Sequence, residues 1–120
     1  MRCFAALAIL GVCSVLAGCD GGVAVTGKLE GRSNVERPCE ISLWNRRAPP
    51  WRKAEARREG RSFPTGNEIS RYWVVSGTVV DHWIEIACPG YEIYRSREFK
   101  APTAQREQNL GTIKLRKVPR

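Results

Sequence analysis

Apolar and polar residues alternate along most of this chain with a period of two. Ile84, Ile86 and Cys88 alternate with Glu85 and Ala87, which predicts a strand with one buried face. Pro89-Gly90 ends it, because proline donates no amide and glycine permits a tight turn. Tyr91 begins a further strand, so Trp83 to Tyr94 reads as a core hairpin. Val23, Val25 and Leu29 share a face in a first strand, about Val23 to Glu30, with Gly27 on the same parity. Cys39, Ile41 and Leu43 share one in a second, Cys39 to Trp44, with Glu40 and Ser42 outward. Ile69 to Val75 forms a third, with Trp73 inward. Its other face carries Tyr72 and Val74, which predicts a strand covered on both sides. The fourth strand lies within Thr78 to Cys88, the fifth is Tyr91 to Phe99, and Leu110 to Val118 closes the set around Ile113 and Leu115. Residues 31–38, 62–67 and 101–108 read as turns and loops. Many short alternating segments predict an all-β fold, a small Greek-key sandwich following an N-terminal signal helix.

The pattern fails in two places. From Cys3 to Gly18 the residues are almost all apolar or small, behind Met1-Arg2. That run is short of the roughly 20 residues of a membrane span. A charged start and an apolar run of this kind fit a secretory signal peptide over residues 1–18. The second exception is the basic segment 45–61. It holds Arg46, Arg47, Arg52, Lys53, Arg57, Arg58 and Arg61 against Glu55 and Glu59, with Trp51 among the cations. Pro49-Pro50 forbids helix at its start, and Lys53 to Glu59 is read as a short helical turn or two. Arginines flanking a tryptophan suit an anionic surface, the indole lying at the interface. The plainer reading is a solvated connector between strands.

Composition narrows the partners. The whole chain carries a formal charge of +8, and loss of the signal removes only Arg2. A basic excess favours anionic partners. Export excludes nucleic acid and leaves phospholipid headgroups, lipopolysaccharide or cell-wall polymers. Of the five cysteines, Cys3 and Cys13 lie in the signal. Cys39 and Cys88 each share a face with buried-type residues, and an oxidising compartment permits a disulfide between them. The alternative, a metal site with Asp81 and His82, lacks a closely spaced ligand pair. No metal or cofactor is therefore expected.

Leu16-Ala17-Gly18-Cys19 resembles the lipobox of bacterial lipoproteins. That resemblance implies cleavage before Cys19, a lipid on its thiol, and a further acyl chain such as palmitate on the new amino group. Residues 19–22 are then a lipidated tether and residues 23–120 the domain. Asp20 resembles the signal that retains such proteins at the inner membrane, facing the periplasm. The competing reading is ordinary cleavage after Gly18, with Cys19 a plain thiol. Further along, Gly27-Lys28-Leu29, Pro38 to Leu43, Ile84 to Glu92 and Asn109 to Leu115 resemble the carboxypeptidase regulatory-like, or transthyretin-like, sandwich. The family's Asp-x-x-Gly-x-Phe turn is missing, and the basic segment stands near its place. The resemblance implies a largely non-catalytic domain that binds, scaffolds or supports larger assemblies.

The residues themselves offer little to an enzyme. His82 is the only histidine; its parity with Ile84 places it in the core or at an edge, and Asp81 faces the other way. No Gly-x-Ser-x-Gly elbow occurs. Glu85 and Glu92 lack the cleft a glycosidase pair needs. The sequence therefore favours a membrane-anchored binding or accessory lipoprotein. Behind it come a subunit of a secretion or envelope assembly, a small hydrolase, and an inhibitor of lysozyme-like enzymes, whose positive charge would repel those basic targets. Trp44, Trp51, Trp73 and Trp83 include candidate exposed anchors, with Trp73 and Trp83 assigned to the core.

Overall fold

The computed structural model of the chain describes residues 19–33, 36–47, 53, 55–103 and 105–119. The expected signal helix, and Trp51 and Arg52 of the basic segment, lie outside the described residues. The described residues form β1 (Cys19–Glu30), β2 (Cys39–Arg47), β3 (Glu55–Arg58), β4 (Phe63–Thr65), β5 (Glu68–Gly77), β6 (Val80–Ala87), β7 (Tyr94–Arg95), β8 (Phe99–Ala101) and β9 (Gln105–Lys114). Three strands make one sheet in the order β5-β1-β9, with β1 parallel to β9 and antiparallel to β5. The second sheet runs β3-β2-β6-β7, with β4 pairing the start of β2 and β8 the start of β6. The two sheets form a sandwich-like, all-β fold.

The alternation fills the space between the sheets. Val23, Val25 and Leu29 of β1, with Ile69, Trp73 and Val75 of β5, face Ile41, Leu43, Ile84 and Ile86 of the second sheet. Glu40 pairs with Ala87 in the β2–β6 register, so the next positions outward, Cys39 and Cys88, lie opposite each other. Their Cα atoms are 4.2 Å apart and the disulfide is closed within one sheet, buried at its end.

Several expectations change. Glu55–Arg58 is a strand rather than helical turn, because it hydrogen-bonds along Trp44–Arg47 of β2. Phe63–Thr65, expected as turn, pairs with Cys39–Ile41. The expected fifth strand splits into β7 and β8, and residues 105–108 belong to β9 rather than to a loop. The face of β5 bearing Tyr72 and Val74 is open, at 49% and 65% exposure.

β1 begins at Cys19 rather than at Val23, so the expected tether is already sheet, with Cys19 to Gly22 opposite Gly77 to Val74. Glycine makes this possible. A methyl group on Gly21 would collide with the backbone carbonyl of Thr103, and one on Gly22 with the ring of Tyr72. Backbone cannot step aside as a side chain can. Gly21→Ala is therefore expected to cost about 1–3 kcal/mol by overpacking and Gly22→Ala clearly less, since Tyr72 can swing outward. Thermal melts of the two variants check the order.

Candidate functional site

Two constellations gather the chain's chemistry. The first closes the sandwich end where β2 finishes. Glu59 follows β3, and its backbone N–H donates to the Leu43 carbonyl at 2.7 Å, which sets its carboxylate over the sheet edge. One carboxylate oxygen accepts from Asn45 Nδ2 at 2.9 Å, lies 3.1 Å from His82 Nε2, and is reached by Arg47 Nε at 3.4 Å. Arg47 also donates to the Thr78 and Ser76 carbonyls at 2.7 and 2.8 Å, tying β2 to the β5–β6 turn. His82 is buried as its parity with Ile84 predicts, and its ring stacks on Phe99.

This histidine–carboxylate pair looks like the start of a catalytic relay, but the other nitrogen is spent. His82 Nδ1 lies 2.9 Å from the Val80 carbonyl, so both ring nitrogens face oxygen acceptors and neither is turned to an open surface. The arrangement clamps β3, β6 and the end of β2 together. The hydrogen bond from His82 and the nearby Arg47 charge hold the Glu59 carboxyl below its ordinary 4.5, outweighing burial, which pushes it up. A carboxyl lowered by folding contributes stability above that ordinary value and loses it as the pH falls through the lowered one. Acid should therefore weaken the wild-type domain more than Glu59→Gln, whose stability falls less steeply below about pH 4.5. At neutral pH, Glu59→Leu strands the Asn45 and His82 donors and is expected to cost about 1–3 kcal/mol. Urea titrations at several pH values check both.

The second constellation lies on the outer face of the β2–β6 sheet. Trp44 and Trp83 are direct cross-strand partners, with ring centroids 6.3 Å apart and planes inclined by 12°. Each indole N–H is held from its own strand, Trp44 by Ser42 Oγ and Trp83 by Glu85 Oε2, both at 2.9 Å. Arg95 and Arg46 lie over the Trp83 ring, at 4.1 and 4.7 Å from its centroid. Glu98 holds both arginines at 3.1 Å, and Arg46 Nε donates to it as well. The hydrogen bonds from Arg46 keep the Glu98 carboxyl below its ordinary value, and the same contact raises the guanidinium. Trp83 is thus 1% exposed, buried as expected, though outside the cluster that fills the space between the sheets. Trp73 does lie in the core.

Two arginines of the basic segment are committed within the fold. Arg46 is engaged by Glu98, and Arg47 by Glu59 and two carbonyls. Lys53, Arg57, Arg58 and Arg61 are exposed, though Arg61 also lies over Phe63 and Arg58 donates to the Gly60 carbonyl. Sequence reasoning missed Arg95 and Glu98. Two tryptophans in register on paired strands, with arginines two positions along, are the signal that points to them.

A cleft of about 520 Å³ at the disulfide end is lined by Arg37, Pro38, Glu40, Pro64 and Pro89 among others. Among the described residues, no group of three histidine, cysteine, aspartate or glutamate side chains is placed to hold a metal, and no helix is long and apolar enough to cross a membrane. The chain matches no family model, no curated protein and no solved structure.

Proposed function

We propose that this protein is a bacterial envelope lipoprotein, anchored through lipid on Cys19 and facing the periplasm, whose sandwich is a non-catalytic binding or accessory domain of transthyretin-like type. The observation that carries the reading is the place of Cys19. The cysteine that ends the lipobox-like Leu16-Ala17-Gly18-Cys19 is followed directly by paired strand, with Asp20 to Gly22 in register with Ser76 to Val74, so a lipid there would sit next to a folded domain. The non-catalytic character rests on His82, whose two nitrogens are both engaged. Exposed Lys53, Arg57, Arg58 and Arg61 supply the attraction to an anionic envelope surface. Asp20 favours the inner membrane.

Metabolic labelling with palmitate tests the anchor. Label is expected on the wild-type protein and absent from Cys19→Ala; equal labelling of both, or of neither, overturns the reading. The charged surface is tested separately by changing the four exposed cations to glutamine and measuring binding of the unlipidated domain to anionic vesicles. Unchanged binding removes that role.

One observation favours the second reading, a subunit of a secretion or envelope assembly. β5 is a long edge strand that pairs only with β1 among the described residues. From Tyr72 to Gly77 it carries no charge and no proline, the usual guards of an exposed edge. A stoichiometric protein partner lost in Val74→Lys supports the assembly; retention of only lipid or glycan supports the surface binder.

A further inference from the structure

Strand register builds the cleft at the disulfide end. Glu40 of β2 is the partner of Pro64 in β4 on one side and of Ala87 in β6 on the other. Directly paired residues point to the same face of a sheet, so these three form a row across the face opposite to buried Cys39 and Ile41. Pro38 and Pro89 line the same cleft. Each adjoins one half of the disulfide, in Pro38-Cys39 and Cys88-Pro89, so the bridge staples these two walls together. Pro38, Pro64, Ala87 and Pro89 are exposed, and the volume of about 520 Å³ is that of a small-ligand site. Prolines and a disulfide leave the walls little freedom, so a ligand meets a cleft already formed.

The charged side chains that line this cleft are Arg37 and Glu40. Neither makes a side-chain hydrogen bond or ion pair among the described residues. The charges around them are committed elsewhere. Arg32 donates to Asn67 Oδ1 and to the Arg37 carbonyl, and Glu36 accepts from the Ser33 N–H and the Tyr91 hydroxyl. Arg71 donates to the Pro64 carbonyl, and Glu85 accepts from the Trp83 indole. An apolar cleft thus offers one cation and one anion without partners, three positions apart in the chain. Their Cα atoms are no more than about 11 Å apart, the reach of three extended residues.

A ligand of a single sign would satisfy one of these charges and be repelled by the other. We infer that the cleft binds a short apolar peptide with free termini: Arg37 takes its carboxylate, Glu40 takes its ammonium, and its side chains lie against the prolines and Ala87. Two or three residues cover the span at about 3.3 Å each. The guanidinium offers a carboxylate two parallel N–H donors, which fixes the direction of the peptide. The site does not depend on lipid at Cys19.

The test titrates tri-alanine, its N-acetylated form and its C-amidated form into the isotope-labelled protein and follows backbone amide shifts by NMR. Tri-alanine is expected to move the Glu40, Ala87 and Cys88 amides and to leave Trp44 in place. Each blocked form should bind about two- to five-fold more weakly, the worth of one exposed ion pair. Arg37→Gln should abolish the penalty for amidation and keep that for acetylation; Glu40→Gln should do the reverse. The comparison of free and blocked peptides on the wild type stands whether or not either variant folds. No shift at these amides up to the solubility limit of tri-alanine, equal binding of the free and blocked forms, or an amidation penalty that survives Arg37→Gln overturns the site.

Discussion

Replacing Cys39 and Cys88 together with alanine is expected to destabilise the domain by about 4 kcal/mol, the loop-closure entropy a crosslink of this span removes from the unfolded chain. The two residues are separated by 49 positions, so the bridge closes a large loop containing β2 to β6. The sulfurs meet because β2 and β6 are in register, with Ile41 on Ile86 and Glu40 on Ala87. Both cysteines are buried, so the fold is also asked to cover two small voids in the variant. For a domain of this size each kcal/mol corresponds to about 4–8 °C, which puts the expected fall in melting temperature in the tens of degrees. Reducing the wild type should reproduce much of that fall. An unchanged urea midpoint in the double variant would mean the register does not hold.

Trp83→Ala is the second large effect, about 3 kcal/mol, the low end for emptying a buried tryptophan site. The low end is appropriate because Trp83 is covered by arginine side chains that can collapse, and not by the opposite sheet. Arg95→Ala should cost about 0.5–1 kcal/mol through the lost cation–ring contact. Made together with Trp83→Ala it should cost less than the sum, because the two touch. Additive losses would show that Arg95 does not sit on the indole. Urea titrations of the three variants give the coupling directly.

The strands with one buried face were legible because burial and alternation coincide. Val23, Val25 and Leu29, Ile41 and Leu43, and Ile84 and Ile86 all lie where a period of two places them. Parity also put Cys39 and Cys88 on inward faces. β3 was not legible. All four of its residues are exposed, so no alternation exists to read, and Glu55-Ala-Arg-Arg58 has the local preference of a helix; pairing with β2 overrides it. Residues 19–22 were not legible as strand for the opposite reason. Their glycines signal flexibility alone, yet they let Thr103 and Tyr72 approach β1 closely. The split between β7 and β8 turns on Ser96, whose hydroxyl accepts from the Ile84 N–H while its own N–H donates to the Ile84 carbonyl. A side chain taking a ladder position leaves no trace in hydropathy. Of the basic segment, sequence could count the cations but not see that Arg46 and Arg47 are committed to Glu98, Glu59 and two backbone carbonyls.

Intact mass spectrometry of the mature protein extracted from membranes addresses the anchor at its source. The anchor predicts a chain beginning at Cys19, heavier than its sequence by the lipid on its thiol and, where the amino group is capped, by one acyl chain more. A chain beginning at Cys19 with an unmodified thiol, or one that still begins at Met1, would contradict it.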